Sequence, residues 1–374
     1  MASRYSEIEI IDSTLREGEQ TPSVIYTDKA RQSIIAGLHR VQVNEIELGV
    51  AAAVHTHLPR LVKKARRITA GSCRLALWSR CLREDIAFAA GCRPDVLSLS
   101  VPVSDSHIQK RLRKERPWVK ENLASAIRQA LKSGIPFVSV GLEDASRAEP
   151  DFLIEIAQTA AKNGAGRIRL ADTVGIGSPG SIAGLVLAVK EAVPGIKIGV
   201  HCHNDFGMGT ANSIAALEAG ADCLDATVLG IGERAGNCRL EEVIGFLSLV
   251  HGNTRYRPDF LPDLCRTVAK ATGKSIADNH PLIGSEIFTC ESGLHQHGLH
   301  IKPEMYEPYA PERVGGTRRL RFGSKTGRKA VQLQLKKAGI RLDETQIGQL
   351  VHRIRSGGCA LNEEQLLRFA VEGC

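Results

Sequence analysis

The sequence predicts an α/β protein: a (β/α)8 TIM barrel over residues 1–251, followed by a helical C-terminal extension over 252–374. Three observations carry this. Short apolar, β-branched runs recur with helical stretches between them, and a glycine or proline turn often precedes the next run. The unit repeats eight times and ends near Ser248, close to the ~250 residues that such a barrel takes.

The predicted strands are 8–12, 45–50, 74–78, 96–101, 137–142, 168–172, 196–203 and 223–228. Apolar residues at helical spacing mark helices at 30–41, 121–133, 152–163, 179–192 and 209–219. Ser133-Gly134-Ile135-Pro136, Asn163-Gly164, Pro194-Gly195 and Ala219-Gly220 supply the returns. The extension carries helical patches at 262–272, 325–338, 344–356 and 363–371, and a polar, His-rich loop at 284–302.

Composition narrows the class. Hydrophobic residues make up 43% and charged residues 24%, which excludes a disordered chain. Aromatics at 4% with 36 glycines favour α/β layers over a β-sandwich. A net charge of +8 suits polyanionic small molecules such as nucleotides or acyl-coenzyme A. The basic residues are not gathered into one block with interleaved aromatics, so no nucleic-acid partner is expected. The densest run, Lys110 to Arg116, reads as a solvated helix face. Ten cysteines without a Cys-x-x-Cys pair, several in apolar runs (Cys73, Cys223), read as reduced thiols of a cytoplasmic protein. The start, MASRYSEIEI, lacks an apolar signal core, and no run reaches the ~18 apolar residues of a membrane span, so neither export nor a membrane partner is expected.

Catalytic groups of such a barrel belong at the C-terminal ends of its strands. The unusual residues fall there: Asp12 to Gln20 after strand one, Glu143-Asp144 after strand five, Asp172-Thr173 after strand six, His201-Cys-His203-Asn204-Asp205 at strand seven, and Gly230 to Asn237 after strand eight. His201 and His203 are the sharpest signal. Residues i and i+2 of a strand share a side, so both imidazoles project into the barrel mouth. They either cap the strand as two polar residues or hold a divalent ion. With Glu17 as a third ligand, the metal reading is favoured, and it leaves positions open for substrate. Arg16 is a structural ion-pair partner or a fixed cation for a developing enolate oxygen. Glu143 is a strand-end ion pair or a group that handles a proton. Thr173 is a turn hydroxyl or a donor to a substrate carboxylate.

The segments IIDSTLREGEQTPSV, LEDASRAEPDF, RLADTVGIGSPGS, HCHNDFGMGTANSIAALEAGAD and GIGERAGNCRLEEV resemble the metal-dependent acyltransferase barrels that include isopropylmalate, citramalate and homocitrate synthases. LSLSVPVSDSHIQKRLRKERPW and SVGLEDASRAEPDF are most similar to the homocitrate synthases of the nitrogen-fixation type. The resemblance implies a Claisen-type condensation of acetyl-coenzyme A with a 2-oxo acid, 2-oxoglutarate for a homocitrate synthase, followed by thioester hydrolysis. It implies a divalent cation (Zn, Mn or Mg) on Glu17, His201 and His203, with Asn237 nearby, polarising the keto group. It further implies that Arg16 stabilises enolate or alkoxide charge and that Thr173 holds the 2-oxo acid carboxylate. Gln20, Arg80 and Glu143 match pocket positions, with Arg80 a candidate for a distal carboxylate. In the extension, His295 matches a histidine that handles the acetyl proton, with Tyr306 behind it; its alternative is a solvent-facing histidine. A homodimer is implied as well.

Two departures stand out. Cys290 occupies a position where histidine is usual and His297 one where aspartate is usual, and FGSKTGRKAV, with Ser324 and Lys325, replaces GKHSGRHAV. The end at Cys374, without a further regulatory domain, fits the shorter homocitrate-type enzymes. The other readings are an isopropylmalate or citramalate synthase, a lyase on the same barrel, and a non-catalytic acyl-coenzyme A or metal-binding scaffold. GERAGNC stands where such lyases carry a glycine-rich cysteine loop, which favours the synthase.

Overall fold

The computed structural model describes residues 4–372. One compact unit runs to Ser275 and a second begins at Ile276. In the first, eight parallel strands close into a barrel: β1 (Glu9–Asp12), β2 (Glu45–Val50), β3 (Arg74–Arg80), β4 (Val96–Pro102), β5 (Phe137–Glu143), β6 (Arg167–Asp172), β7 (Lys197–Cys202) and β8 (Cys223–Ala226). Each pairs with its sequence neighbour, and β8 closes on β1 through Glu9↔Cys223 to Asp12↔Ala226. All eight expected strands are present, with no end shifted by more than two residues.

Helices α1 (Asp28–Val41), α2 (Leu58–Thr69), α3 (Arg83–Cys92), α4 (Arg116–Lys132), α5 (Pro150–Lys162), α6 (Pro179–Ala192), α7 (Gly209–Ala219) and α8 (Leu240–Gly245) follow the strands in turn. Their starts are written in the sequence. Thr27 accepts from the Ala30 N–H, Glu149 from Asp151 and Phe152, and Ser178 forms a capping box with Ser181, satisfying amide donors that a helix leaves unpaired. Pro150 and Pro179 sit at the first helical position, where a missing N–H costs nothing. A further helix, α9 (Leu261–Thr272), lies in this first unit and packs on α1, with Leu264 seated over Gly37, where a Cβ would approach its Cδ1 to 2.8 Å. The change of sequence character at 252 thus marks the end of the strand repeat, whereas the compact unit runs on to Ser275.

The barrel lumen is charged. Glu45 and Glu47 on β2 and Arg167 and Arg169 on β6 obey the same i, i+2 rule as the two histidines, and all four are buried. Arg167 forks onto Glu45 at 2.6 and 3.1 Å and donates to Ser139 Oγ at 2.9 Å. Buried ions cost several kcal/mol each unless paired and hydrogen-bonded, so these layers hold only as complete sets. Branched apolar side chains, which usually fill such a lumen, here line the outside of the strands instead (Ile10, Ile46, Leu48, Leu75, Leu97, Val138).

The second unit contains α10 (Gly293–Ile301), α11 (Arg328–Lys337), α12 (Glu344–Ser356) and α13 (Glu363–Glu372), with two-residue strands β9 (Thr289–Cys290) and β10 (Arg319–Leu320) paired in parallel. Its core is Phe322, Val331, Leu335, Leu350, Val351 and Leu366. The stretch 284–302, expected as a polar loop, contains helix α10. Buried Gln296 pins that helix by donating to the carbonyls of Cys290 (2.8 Å) and Arg321 (2.6 Å). The described cysteines are free thiols, and no helix among the described residues is long and apolar enough to cross a membrane.

Candidate metal centre at the barrel mouth

Strand β7 delivers His201 and His203 to the mouth with ring centroids 5.0 Å apart. Each ring is oriented through Nδ1. His203 Nδ1 donates to the carbonyl of Asp172 (3.1 Å), and His201 Nδ1 faces the Asp225 carboxylate (2.9 Å). Burial, reinforced by His201, pushes His203 down to about 3, and burial lowers His201 as well, so both rings are neutral at neutral pH. With the proton on Nδ1, each Nε2 lone pair is available as a ligand.

Glu17 stands opposite, with Oε1 3.5 Å from His201 Nε2. One ligand atom from each of Glu17, His201 and His203 falls within 4.8 Å of the others, and all three residues are buried. Glu17 Oε2, His203 Nε2 and Asn237 Oδ1 are buried acceptors without a hydrogen-bond partner. Such orphans are rare and require a reason. A divalent cation answers all of them, and a set of two imidazoles and a carboxylate suits Zn, Mn or Mg to different degrees. The residues fit the group.

Asn237 reaches this place because the segment Gly230–Asn237 folds back along β7. Asn204 N–H donates to the Gly236 carbonyl (2.8 Å) and Cys238 N–H to Cys202 (3.0 Å), which bridges His203 to Asn237. Only glycine fits at 236: its φ is +90°, and a Cβ would stand 1.9 Å from the Gly230 carbonyl oxygen. Arg234 locks the neighbouring loops, forking onto Asp205 at 2.9 Å through both Nε and Nη2 and donating to the Thr173 carbonyl at 2.9 Å.

Arg16 is buried beside Glu17. Its Nη1 bonds Glu17 and its Nε donates to Glu47 at 2.6 Å. Arg169 continues the chain, 3.4 Å from Glu47 and 2.7 Å from Asp225, which faces His201. Glu17, Arg16, Glu47, Arg169 and Asp225 therefore alternate in charge, and the neutral His201 ring closes the loop between Asp225 and Glu17. Burial alone would raise Glu47 and Asp225, but Arg16 and Arg169 hold Glu47 below its usual range, and Arg169 and His201 do the same for Asp225. Glu47, Arg169 and Asp225 were not among the sequence candidates. The alternation Glu45-Ile-Glu47 and Arg167-Ile-Arg169, read by the rule applied to His201 and His203, would have found two of them.

The other sequence candidates are distributed as follows. Glu143, half-buried at the end of β5, accepts from Ser100 Oγ (2.9 Å) and from Arg111 Nη2. Thr173 Oγ1 accepts from the Asp144 N–H (2.8 Å), which serves the turn reading while leaving the hydroxyl proton to donate. Gln20 is exposed on the short turn Gly18–Gln20. Arg80 is held by Asp85, with Nε at 2.7 Å and Nη2 at 3.2 Å from its carboxylate. A cavity of about 370 Å³ opens at the ends of β3, β4 and β5, lined among others by Trp78, Arg80, Leu82, Arg111, Trp118 and Glu143. Its Trp78 wall adjoins the metal centre, since the Arg16 guanidinium carbon lies 6.0 Å from that ring. Of the basic run expected as a solvated helix face, Arg111 turns in to Glu143 and Arg116 forks onto Asp105 at 2.8 and 2.9 Å.

In the second unit, His295 is exposed and stacks on Tyr306, with centroids 4.3 Å apart. Gly298 makes the stack possible, because a Cβ there would stand 2.1 Å from the tyrosine ring. Cys290 Sγ donates to the Ser292 carbonyl (3.7 Å), and His297 Nδ1 is buried without a hydrogen-bond partner. Ser324 and Lys325 are exposed.

Residues 7–268 match the HMGL-like family model, and residues 282–360 match the homocitrate synthase post-HMGL domain-like model. The chain is 37% identical to a homocitrate synthase of Frankia alni, over 89% of this chain and 94% of that one. It is 36% identical to 2-isopropylmalate synthase 2 of Caldanaerobacter subterraneus, over 92% and 89%. It is 40% identical to a putative (R)-citramalate synthase of Methanoculleus marisnigri, over 94% and 69%. Among solved structures, the HMG-CoA lyase of Bacillus subtilis superposes with a TM-score of 0.65 at 18% identity, over 72% of this chain and 95% of that one, a likeness of fold alone.

Proposed function

The chain belongs to the HMGL-like family, among its homocitrate, isopropylmalate and citramalate synthases, which are acyltransferases, and from that premise we propose that it condenses acetyl-coenzyme A with a 2-oxo acid, 2-oxoglutarate first, to give homocitrate. The observation that carries the condensation is the set of buried acceptors on Glu17, His203 and Asn237 beside His201, at the mouth of a lumen whose charges are otherwise paired.

In this reading Glu17, His201 and His203 hold the divalent cation, with Asn237 alongside. The cation supplies Lewis-acid polarisation of the acceptor's keto carbonyl. Arg16, fixed between Glu17 and Glu47, sets a permanent positive charge where oxygen becomes negative, and it costs no reorganisation during the reaction. Thr173 donates its hydroxyl to the acceptor's 1-carboxylate, and Gln20 borders the same pocket. His295, backed by Tyr306, removes a proton from the acetyl methyl group. The resulting enolate carbon attacks the keto carbon, and water then cleaves the thioester and releases coenzyme A. Glu143 holds or relays a proton at the pocket wall. The extension, 252–374, thus contributes to the site in a cytoplasmic homodimer, whose assembly light scattering tests.

A second acceptor class has a specific argument in its favour. Trp78, Leu82, Val101 and Leu112 give the 370 Å³ cavity apolar walls, which suit the side chain of a branched or short 2-oxo acid. A thiol-release assay with acetyl-coenzyme A and a panel of 2-oxo acids decides. Turnover with 2-oxoglutarate alone is the expected result. Turnover only with 2-oxoisovalerate or pyruvate would move the assignment to the isopropylmalate or citramalate class, and silence with every acceptor would leave only a binding scaffold.

A further inference from the structure

Two guanidinium groups line the cavity beside the metal centre, and they are differently committed. Arg80 presents Nε and Nη2 to Asp85, whose side chain is 4% exposed. Drawing Arg80 away would strand a buried carboxylate, which is costly. Arg111 has one contact, from Nη2 to Glu143. Its Nε and Nη1 have no partner among the described residues, and its side chain is 51% exposed. Glu143 keeps a second donor, Ser100 Oγ at 2.9 Å, if Arg111 turns aside. Arg111 can therefore exchange its carboxylate at low cost, whereas Arg80 can offer a ligand only what Asp85 leaves free.

The surroundings specify what Arg111 would meet. It stands at the end of a short π-helical segment, Ser106–Leu112, directly after β4, facing walls of Trp78, Val101 and Trp118. An apolar-walled cavity with one loosely held guanidinium fits a methylene chain ending in a carboxylate, which guanidinium groups bind through several N–H donors at once. We propose that Arg111 determines acceptor specificity by receiving the distal carboxylate of an unbranched dicarboxylic 2-oxo acid, in the place the sequence assigned to Arg80. This rests on the condensation reading above.

The test compares the full-length wild type with Arg111→Gln, Arg111→Lys and Arg80→Gln, loaded with divalent metal, in thiol release with 2-oxoglutarate and with 2-oxobutyrate, which has no distal charge. Arg111→Gln should lower kcat/KM for 2-oxoglutarate by 100-fold or more, mainly through KM, and change it less than 3-fold for 2-oxobutyrate. Arg111→Lys should recover at least a tenth of the wild-type value. Equal losses with both acceptors would show that Arg111 only holds Glu143, and a selective loss confined to Arg80→Gln would return the role to Arg80; either overturns the proposal alone. A wild type that turns over 2-oxobutyrate but not 2-oxoglutarate would remove the dicarboxylic reading and this inference with it.

Discussion

Asp225→Asn is the most searching perturbation of the metal centre, because Asp225 touches no proposed substrate and is not itself a ligand. One carboxylate oxygen, Oδ2, serves two donors, His201 Nδ1 at 2.9 Å and Arg169 Nη1 at 2.7 Å. Asparagine keeps the shape but removes the negative charge, so a neutral carbonyl oxygen at best takes the place of the carboxylate that both donors share. Loss of such an orienting partner lowers metal affinity about 10–100-fold, or roughly 1.4–2.8 kcal/mol. Arg169 is left with Glu47 at 3.4 Å, so the metal-free protein should lose about 3 kcal/mol, the low end for breaking a buried pair. Calorimetric titration of zinc or manganese into chelator-treated protein measures the first effect, and urea denaturation without metal measures the second. Wild-type metal affinity in the variant would refute the claim that Asp225 aims His201; a stability loss alone would mean that it serves only Arg169.

Other outcomes follow from the same geometry. His203→Ala should abolish turnover and metal retention together, read by assay and by metal content after gel filtration, and full activity in a metal-stripped protein would defeat the mechanism. Arg167→Met leaves Glu45 short of its fully buried partner and should cost about 3–5 kcal/mol in denaturant unfolding. Adding Glu45→Leu should recover much of this, and a double variant less stable than the single one would contradict the pairing argument. Glu241, buried at the start of α8, is pushed up to about 7 by desolvation from a usual value of 4.5. A carboxyl raised in the folded state binds its proton more tightly there, so its stabilising effect is complete below about 4.5 and is lost as pH rises through about 7, a change of roughly 3 kcal/mol. Glu241→Gln should flatten that decline in unfolding free energy, and an unchanged slope across this window would exclude Glu241 as its source.

The barrel was legible because strand, helix and glycine return repeat eight times, the count that closes a parallel sheet into a barrel, and Ile10, Ile46 and Leu48 make the strands read as apolar runs. The histidine pair was legible for the same geometric reason. What escaped was how each charge is used. Whether Arg16, Glu143 or Arg80 is taken up by a protein partner depends on residues 5 to 43 positions distant in sequence, such as Glu47, Ser100 and Asp85, and no local pattern announces them. Helix α10 escaped because its histidines and glycines have weak helical preference, and its stability comes from Gln296 and the Tyr306 stack. Arg111 was hidden in a run whose composition suits solvent equally well.

The loop of ionic contacts draws on the segment after β1 and on β2, β6, β7 and β8, whereas the cavity opens on β3, β4 and β5. The two tasks occupy opposite arcs of one cylinder and meet near the metal centre at Arg16 and Trp78. Substitutions on the cavity arc can reshape what is admitted without disturbing a single member of the ionic circuit, while any change within that circuit must be matched by another. Diversification of such a barrel should therefore proceed one residue at a time on the first arc and only in concerted pairs on the second.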